Sequence, residues 1–105
     1  MSFLIGEVVL LPIPFTDLSS RKVRPAVVAG FSSFRGDLFV IPISSQLQNT
    51  DLALLDWAAA GLNVPCGIKS QIATVREALI IKNVGVLSNR DQTAYKDKIR
   101  HWFGL

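Results

Sequence analysis

A chain of 105 residues has room for one domain, spanning 1–105, and its formal charge of +3 with a pI near 9.4 admits a nucleic-acid partner without requiring one. Half of the residues are hydrophobic, yet the apolar run 8–15 contains Pro12 and Pro14 and falls far short of the ~18 residues of a spanning helix, which argues against a membrane segment. No basic-then-apolar leader precedes Glu7, so a cytoplasmic protein is expected.

A domain this small hides only about two thirds of the surface of its unfolded chain, so the apolar excess implies burial against another subunit or protein. In chain order, 6–11 reads as a strand rich in Val and Leu, ended or forced to an edge by Pro12 and Pro14. Residues 15–23 read as a serine-rich loop. A second strand, 25–29, starts on Pro25, where a missing N–H is tolerated, and a turn at 32–36 leads into a third strand, 37–43. Segment 51–56 suits either a strand or the start of a helix running through Trp57 to residue 60, stopped by Gly61 and Pro65. The alternation of Ile68, Ser70 and Ile72 against Lys69, Gln71 and Ala73 predicts one strand over 67–74, and 78–86 holds another. Ser88 with Asp91 three residues on forms a variant capping box, followed by Tyr95, Ile99 and Trp102 on one helix face. Five or so short strands and one C-terminal helix suggest a small, strongly curved antiparallel sheet or barrel.

The chemistry available is narrow. His101 is the single histidine, so a histidine acid–base pair within one chain is excluded; at a helix C-terminus it reads as solvated. The eight acids are scattered without metal-ligand spacing, Cys66 stands alone as a small apolar filler, and no phosphate-binding or dinucleotide glycine pattern occurs. We therefore expect no metal and no cofactor. Arg21, Lys22 and Arg24 fall within four residues with no acid among them, which by itself describes a solvated basic loop.

Two segments go further. The run 15–20, Phe-Thr-Asp-Leu-Ser-Ser, leads into Val23-Arg24-Pro25-Ala26-Val27-Val28, after a strand opening Gly6-Glu7-Val8-Val9. Together they resemble the "PFTD…(K/R)RPA(L/V)V" signature of MazF/PemK-family toxins. Val40-Ile41-Pro42-Ile43-Ser44-Ser45-Gln46 resembles the family's "(V/A)xPIT(S/T)Q", and Gln71-Ile72-Ala73-Thr74-Val75 is a weaker match to its "DQI(R/x)T(V/I)". The resemblance implies an SH3-like barrel, usually a homodimer, that cleaves single-stranded RNA without metal and is neutralised by a cognate antitoxin. It implies a 2′,3′-cyclic phosphate and a 5′-hydroxyl as products. Arg24 and Ser44 become the catalytic candidates, with Thr16, Asp17, Arg21, Lys22, Ser45, Gln46, Lys69 and Gln71 as RNA contacts.

These residues suit that chemistry. As a ribose 2′-hydroxyl attacks its own phosphate, charge builds on the phosphorane oxygens, and a planar guanidinium grips two of them at once. Pro25 biases Arg24 towards extended backbone. The Ser44 hydroxyl, where the family commonly has threonine, can donate to the same phosphate; sequence does not rank it against Ser45. A protonated arginine is a poor general base. The acid that several family members carry is replaced by Ser19, Ser20 or Arg76, and the usual third-block arginine by Ala73. Asp17, a water, or no separate group remain as alternatives for the base. Two other functions compete. Gyrase-poisoning toxins share the fold and end in an aromatic-glycine-aliphatic tail, as this chain does in Trp102-Phe103-Gly104-Leu105, although packing of the last helix onto the sheet is clearly the simpler account of Trp102 and Phe103. The other is a non-catalytic RNA- or DNA-binding module acting through Arg21, Lys22 and Arg24. Trp57 with 58–60 suits either a docking surface or the core.

Overall fold

The computed structural model describes residues 3–12, 22–34 and 36–105. Strands β1 (Glu7–Pro12), β2 (Val23–Phe31), β3 (Leu38–Ser44), β4 (Leu52–Ala53), β5 (Gly67–Ile68), β6 (Ala73–Val75) and β7 (Lys82–Val86) are followed by helix α1 (Asn89–Phe103). All pairings are antiparallel, in the order β4-β5-β3-β2-β1-β7, with β6 also on β3. The mainly-β class with one C-terminal helix is the one expected, and the pairing path is open among the described residues. Register shifts at Val8/Val9 and Val28/Gly30 add twist to its centre.

Alternation along β1, β2 and β3 sends apolar side chains to both faces, and both are covered. Val8, Val27, Ile41 and Ile43 pack on one face against Tyr95 of α1, with Trp57, Ile99 and Trp102 at the margin. Val9, Leu11, Ala26, Val28 and Val40 pack on the other with Phe3, Ala73 and Val75. The predicted helix stripe is therefore correct: Tyr95 is 1% exposed. Burial also pushes its hydroxyl up to about 12. Trp57 and Trp102 help cover this core, while Phe103 next to Trp102 stays 57% exposed. Cys66 is buried, as an apolar filler should be, which pushes its thiol up.

Four sequence expectations change. Strand β2 begins two residues earlier than predicted, so Arg24 lies inside a strand and Pro25 is its third residue. The one strand predicted over 67–74 is two, β5 and β6, with an irregular stretch at 69–72 between them. After β4 the chain makes a single helical turn, closed by Ala60 N–H donating to the Asp56 and Trp57 carbonyls, so neither a long strand nor a helix forms there. That turn lies so close to β7 that a side chain on Gly61 would run into the Val84 carbonyl, and one on Gly85 into that of Ala60. Finally, Ser88 caps α1 by accepting from the Asp91 N–H at 3.3 Å, but the Asp91 carboxylate does not close the box locally. It accepts instead from the backbone of Leu55 and Asp56 at 2.9 and 2.8 Å.

Asp56 is held by the same junction. The Arg90 guanidinium donates to both its oxygens at 2.7 Å and the Ser88 hydroxyl to one at 2.5 Å. The Arg90 bonds, then Ser88, lower the carboxyl from 3.8 to about 2. A depressed folded value means the contribution is fully present above the unfolded value, about pH 4, and lost as pH falls through the folded one. We predict that wild type melts higher than Asp56→Asn at pH 5 and that the gap closes near pH 2. A gap independent of pH in thermal melts would show that the ionised carboxylate is not what matters.

Candidate functional site

The ends of β2 and β3 that carry Arg24 and Ser44 form a fork, and two prolines explain it. Val28 accepts from Gly6 N–H on the β1 side, so alternation turns the backbone of Arg24 and Ala26 towards β1 and that of Pro25 and Val27 towards β3. Val27 pairs with Ile41, but Pro25 has no N–H with which to continue the ladder. The last β2–β3 pair before the gap is Ala26↔Pro42; beyond it β2 stays with β1, while Ile43 and Ser44 turn to β5. Pro42 lacks the donor on the opposite edge. There its carbonyl accepts from Lys69 N–H at 3.1 Å, where the neighbour of β3 changes from β6 to β5.

Arg24 and Ser44 each stand two residues past the last shared pair, one on either lip of the fork. By alternation both side chains share the face of Ala26 and Pro42. Arg24 is exposed, and no ion pair or hydrogen bond involves its side chain among the described residues. Ser44 is half-buried, and its hydroxyl oxygen accepts from Gln46 N–H at 3.1 Å, leaving the hydroxyl proton free to donate. An exposed guanidinium and an anchored hydroxyl on one face of a notch make a donor set for a tetrahedral oxyanion.

The other sequence candidates divide. Lys22 is exposed one residue before β2, and Ser45 is exposed beside Ser44. Lys69 and Gln71 lie in the irregular stretch on the far flank of β3, which is pinned by Ser70 N–H donating to the Asp51 carboxylate at 2.9 Å. Gln46 is partly occupied, its carbonyl accepting from the Asn49 amide at 2.9 Å in the short turn Leu47–Asn49. Thr16, Asp17 and Arg21 lie outside the described residues. Sequence reasoning missed the roles of Pro25, Pro42 and Asp51. The two prolines inside strand patterns were the visible signal, because proline interrupts a ladder. Among the described residues no three His, Cys, Asp or Glu side chains come together to hold a metal.

On the opposite face, an apolar hollow of about 250 Å³ is lined by Ala29, Phe39, Ile72, Ile99 and Phe103. No helix among the described residues is long and apolar enough to cross a membrane. A family model described as PemK-like, MazF-like toxin of type II toxin–antitoxin system matches residues 5–103. No curated protein matches the chain.

Proposed function

The chain belongs to the PemK-like, MazF-like toxins of type II toxin–antitoxin systems, and from that premise we propose that it is a metal-independent endoribonuclease of the cytoplasm that cuts single-stranded RNA. The observation that carries this reading is the position of Arg24 and Ser44, each two residues past the last shared β2–β3 pair, on opposite lips of the fork. The scissile phosphate sits in the notch. The ribose 2′-oxygen attacks phosphorus and gives up its proton, the bond to the 5′-oxygen breaks, and that oxygen takes up a proton. The products are a 2′,3′-cyclic phosphate and a 5′-hydroxyl. Arg24 holds two non-bridging oxygens as their charge grows, and Ser44 donates its hydroxyl proton to the same group. Lys22, Ser45, Gln46 and Lys69, with Thr16, Asp17 and Arg21, are assigned to contacts along the strand.

Membership of a type II family implies an antitoxin partner. We assign the apolar hollow of Ala29, Phe39, Ile72, Ile99 and Phe103 to the contact between two copies of the chain, because a half-hydrophobic domain leaves this face uncovered. The gyrase-directed alternative has less behind it, since the Trp102 ring packs on the core.

Purified protein is expected to cut RNA equally with and without EDTA and to leave cyclic-phosphate ends, sedimenting as a dimer that Phe103→Glu converts to monomer. Loss of cleavage in EDTA would overturn the metal-independent mechanism. A dimer that survives Phe103→Glu would move the interface elsewhere.

A further inference from the structure

When a 2′-hydroxyl cuts its own RNA strand, the departing 5′-oxygen takes up a proton, and neither Arg24 nor Ser44 suits the role of its donor. A guanidinium keeps its proton in proteins, and a serine hydroxyl is a weak acid. An ammonium is the better source, because it carries positive charge and can release a proton.

Lys69 stands beside the fork. Gly67 pairs with Ser44, and two residues on, Lys69 N–H donates to the Pro42 carbonyl at 3.1 Å. That bond continues the β3–β5 ladder by one hydrogen-bonded pair, to which Pro42, having no N–H, supplies only the acceptor. Residues opposite each other in such a pair share a face. Lys69 therefore lies on the face of Pro42, which is also that of Ser44 and Arg24. Lys69 and Ser44 are then diagonal neighbours, about 7–8 Å apart along the sheet and within reach of a long side chain. Ser70 N–H, donating to the Asp51 carboxylate at 2.9 Å, fixes the backbone just after Lys69. Lys69 is half-buried, and no ion pair among the described residues holds its ammonium. The nearby Thr50 hydroxyl, which lies over Gly67, is already spent on the Leu47 carbonyl at 2.7 Å.

We propose that Lys69 is the general acid of the cleavage, giving an ammonium proton to the 5′-oxygen as the bond between phosphorus and that oxygen breaks. The electron pair of the broken bond takes the proton, the lysine is left as a neutral amine, and solvent water restores its proton. This rests on the ribonuclease reading above and adds the proton donor to it. Arg24 and Ser44 steady the phosphorane; Lys69 discharges the leaving group.

Sulfur in place of the bridging 5′-oxygen tests this, because a thiolate leaves without being protonated. Wild type maps the cut junction on an unmodified oligoribonucleotide, and the same oligomer is then made with sulfur at that junction. Lys69→Met is expected to slow single-turnover cleavage of the oxygen substrate about a hundredfold or more, and of the sulfur substrate less than about threefold. Lys69→Arg, which keeps the charge but holds its proton, stays as slow as Lys69→Met on the oxygen substrate. Arg24→Ala is slow on both. Thermal melts of each variant check folding. Equal slowing of both substrates by Lys69→Met, recovery in Lys69→Arg, or an unchanged rate in a folded Lys69→Met would each overturn the proposal. Wild type that cuts both substrates beside an unaffected Lys69→Met removes only the Lys69 assignment. Wild type that cuts neither overturns the nuclease reading and the proposal with it.

Discussion

Arg24→Ala is expected to slow RNA cleavage about a thousandfold, the order of loss when an arginine that stabilises phosphoryl-transfer charge is removed. The estimate follows from position. Arg24 lies inside β2, with its backbone held against β1 at Leu11 and with no ion pair among the described residues competing for its guanidinium. Arg24→Lys should recover only part of the loss, because an ammonium is a point charge and does not match two phosphate oxygens at once. Ser44→Ala is expected to cost about ten- to a hundredfold, as loss of a hydrogen bond to a charged group, worth about 1.5–3 kcal/mol, would. Ser44→Thr should restore the rate. Single-turnover cleavage of a fluorogenic oligoribonucleotide measures all four variants, and thermal melts confirm that each is folded. An Arg24→Ala protein within tenfold of wild type would sink the assignment and shift attention to the basic residues outside the fork.

How much of this was legible in the chain differs from element to element. The start of the helix was plain, because Tyr95, Ile99 and Trp102 carry its period and Ser88 caps it with local chemistry; its end at Gly104, in left-handed backbone, was not read from the sequence. β1 and β3 were found within a residue, since their apolar content is dense and their neighbours include proline and glycine. The break at 69–72 was not legible. The sequence alternates through it, and what interrupts the strand lies elsewhere: Pro42 has no donor to offer, and Asp51 draws Ser70 N–H away. Tertiary partners override a local pattern here. Arg24 and Ser44 were legible one at a time. Their placement on opposite lips of one fork was not, because it depends on how Pro25 and Pro42 fall on alternating edges of their ladders. Thr16, Asp17 and Arg21 stay at the level of the sequence.

Asp91 is where the largest loss of stability is expected. Its side chain is 2% exposed, and its two oxygens accept from Leu55 and Asp56 N–H, 36 and 35 residues back. The carboxylate also lies in the first turn of α1, where the unpaired N–H groups favour negative charge. Asp91→Ala removes both acceptors at once and leaves two backbone donors without partners, for a cost of about 3 kcal/mol. The stability of a chain this size is only about 5–15 kcal/mol, so the melting temperature should fall by roughly 12–24 °C. Asp91→Asn keeps the shape but turns one oxygen into a donor that faces another N–H, and should lose about 2 kcal/mol. Asp97→Ala, on the exposed side of the same helix, serves as the control and should stay within about 0.5 kcal/mol of wild type. Chemical denaturation measures all three. Equal effects at 91 and 97 would mean that α1 is held by its apolar face alone. A large loss at 91 only would mean that this carboxylate fastens the helix start to the turn after β4, and with it the Trp57 and Trp102 rings that cover the core.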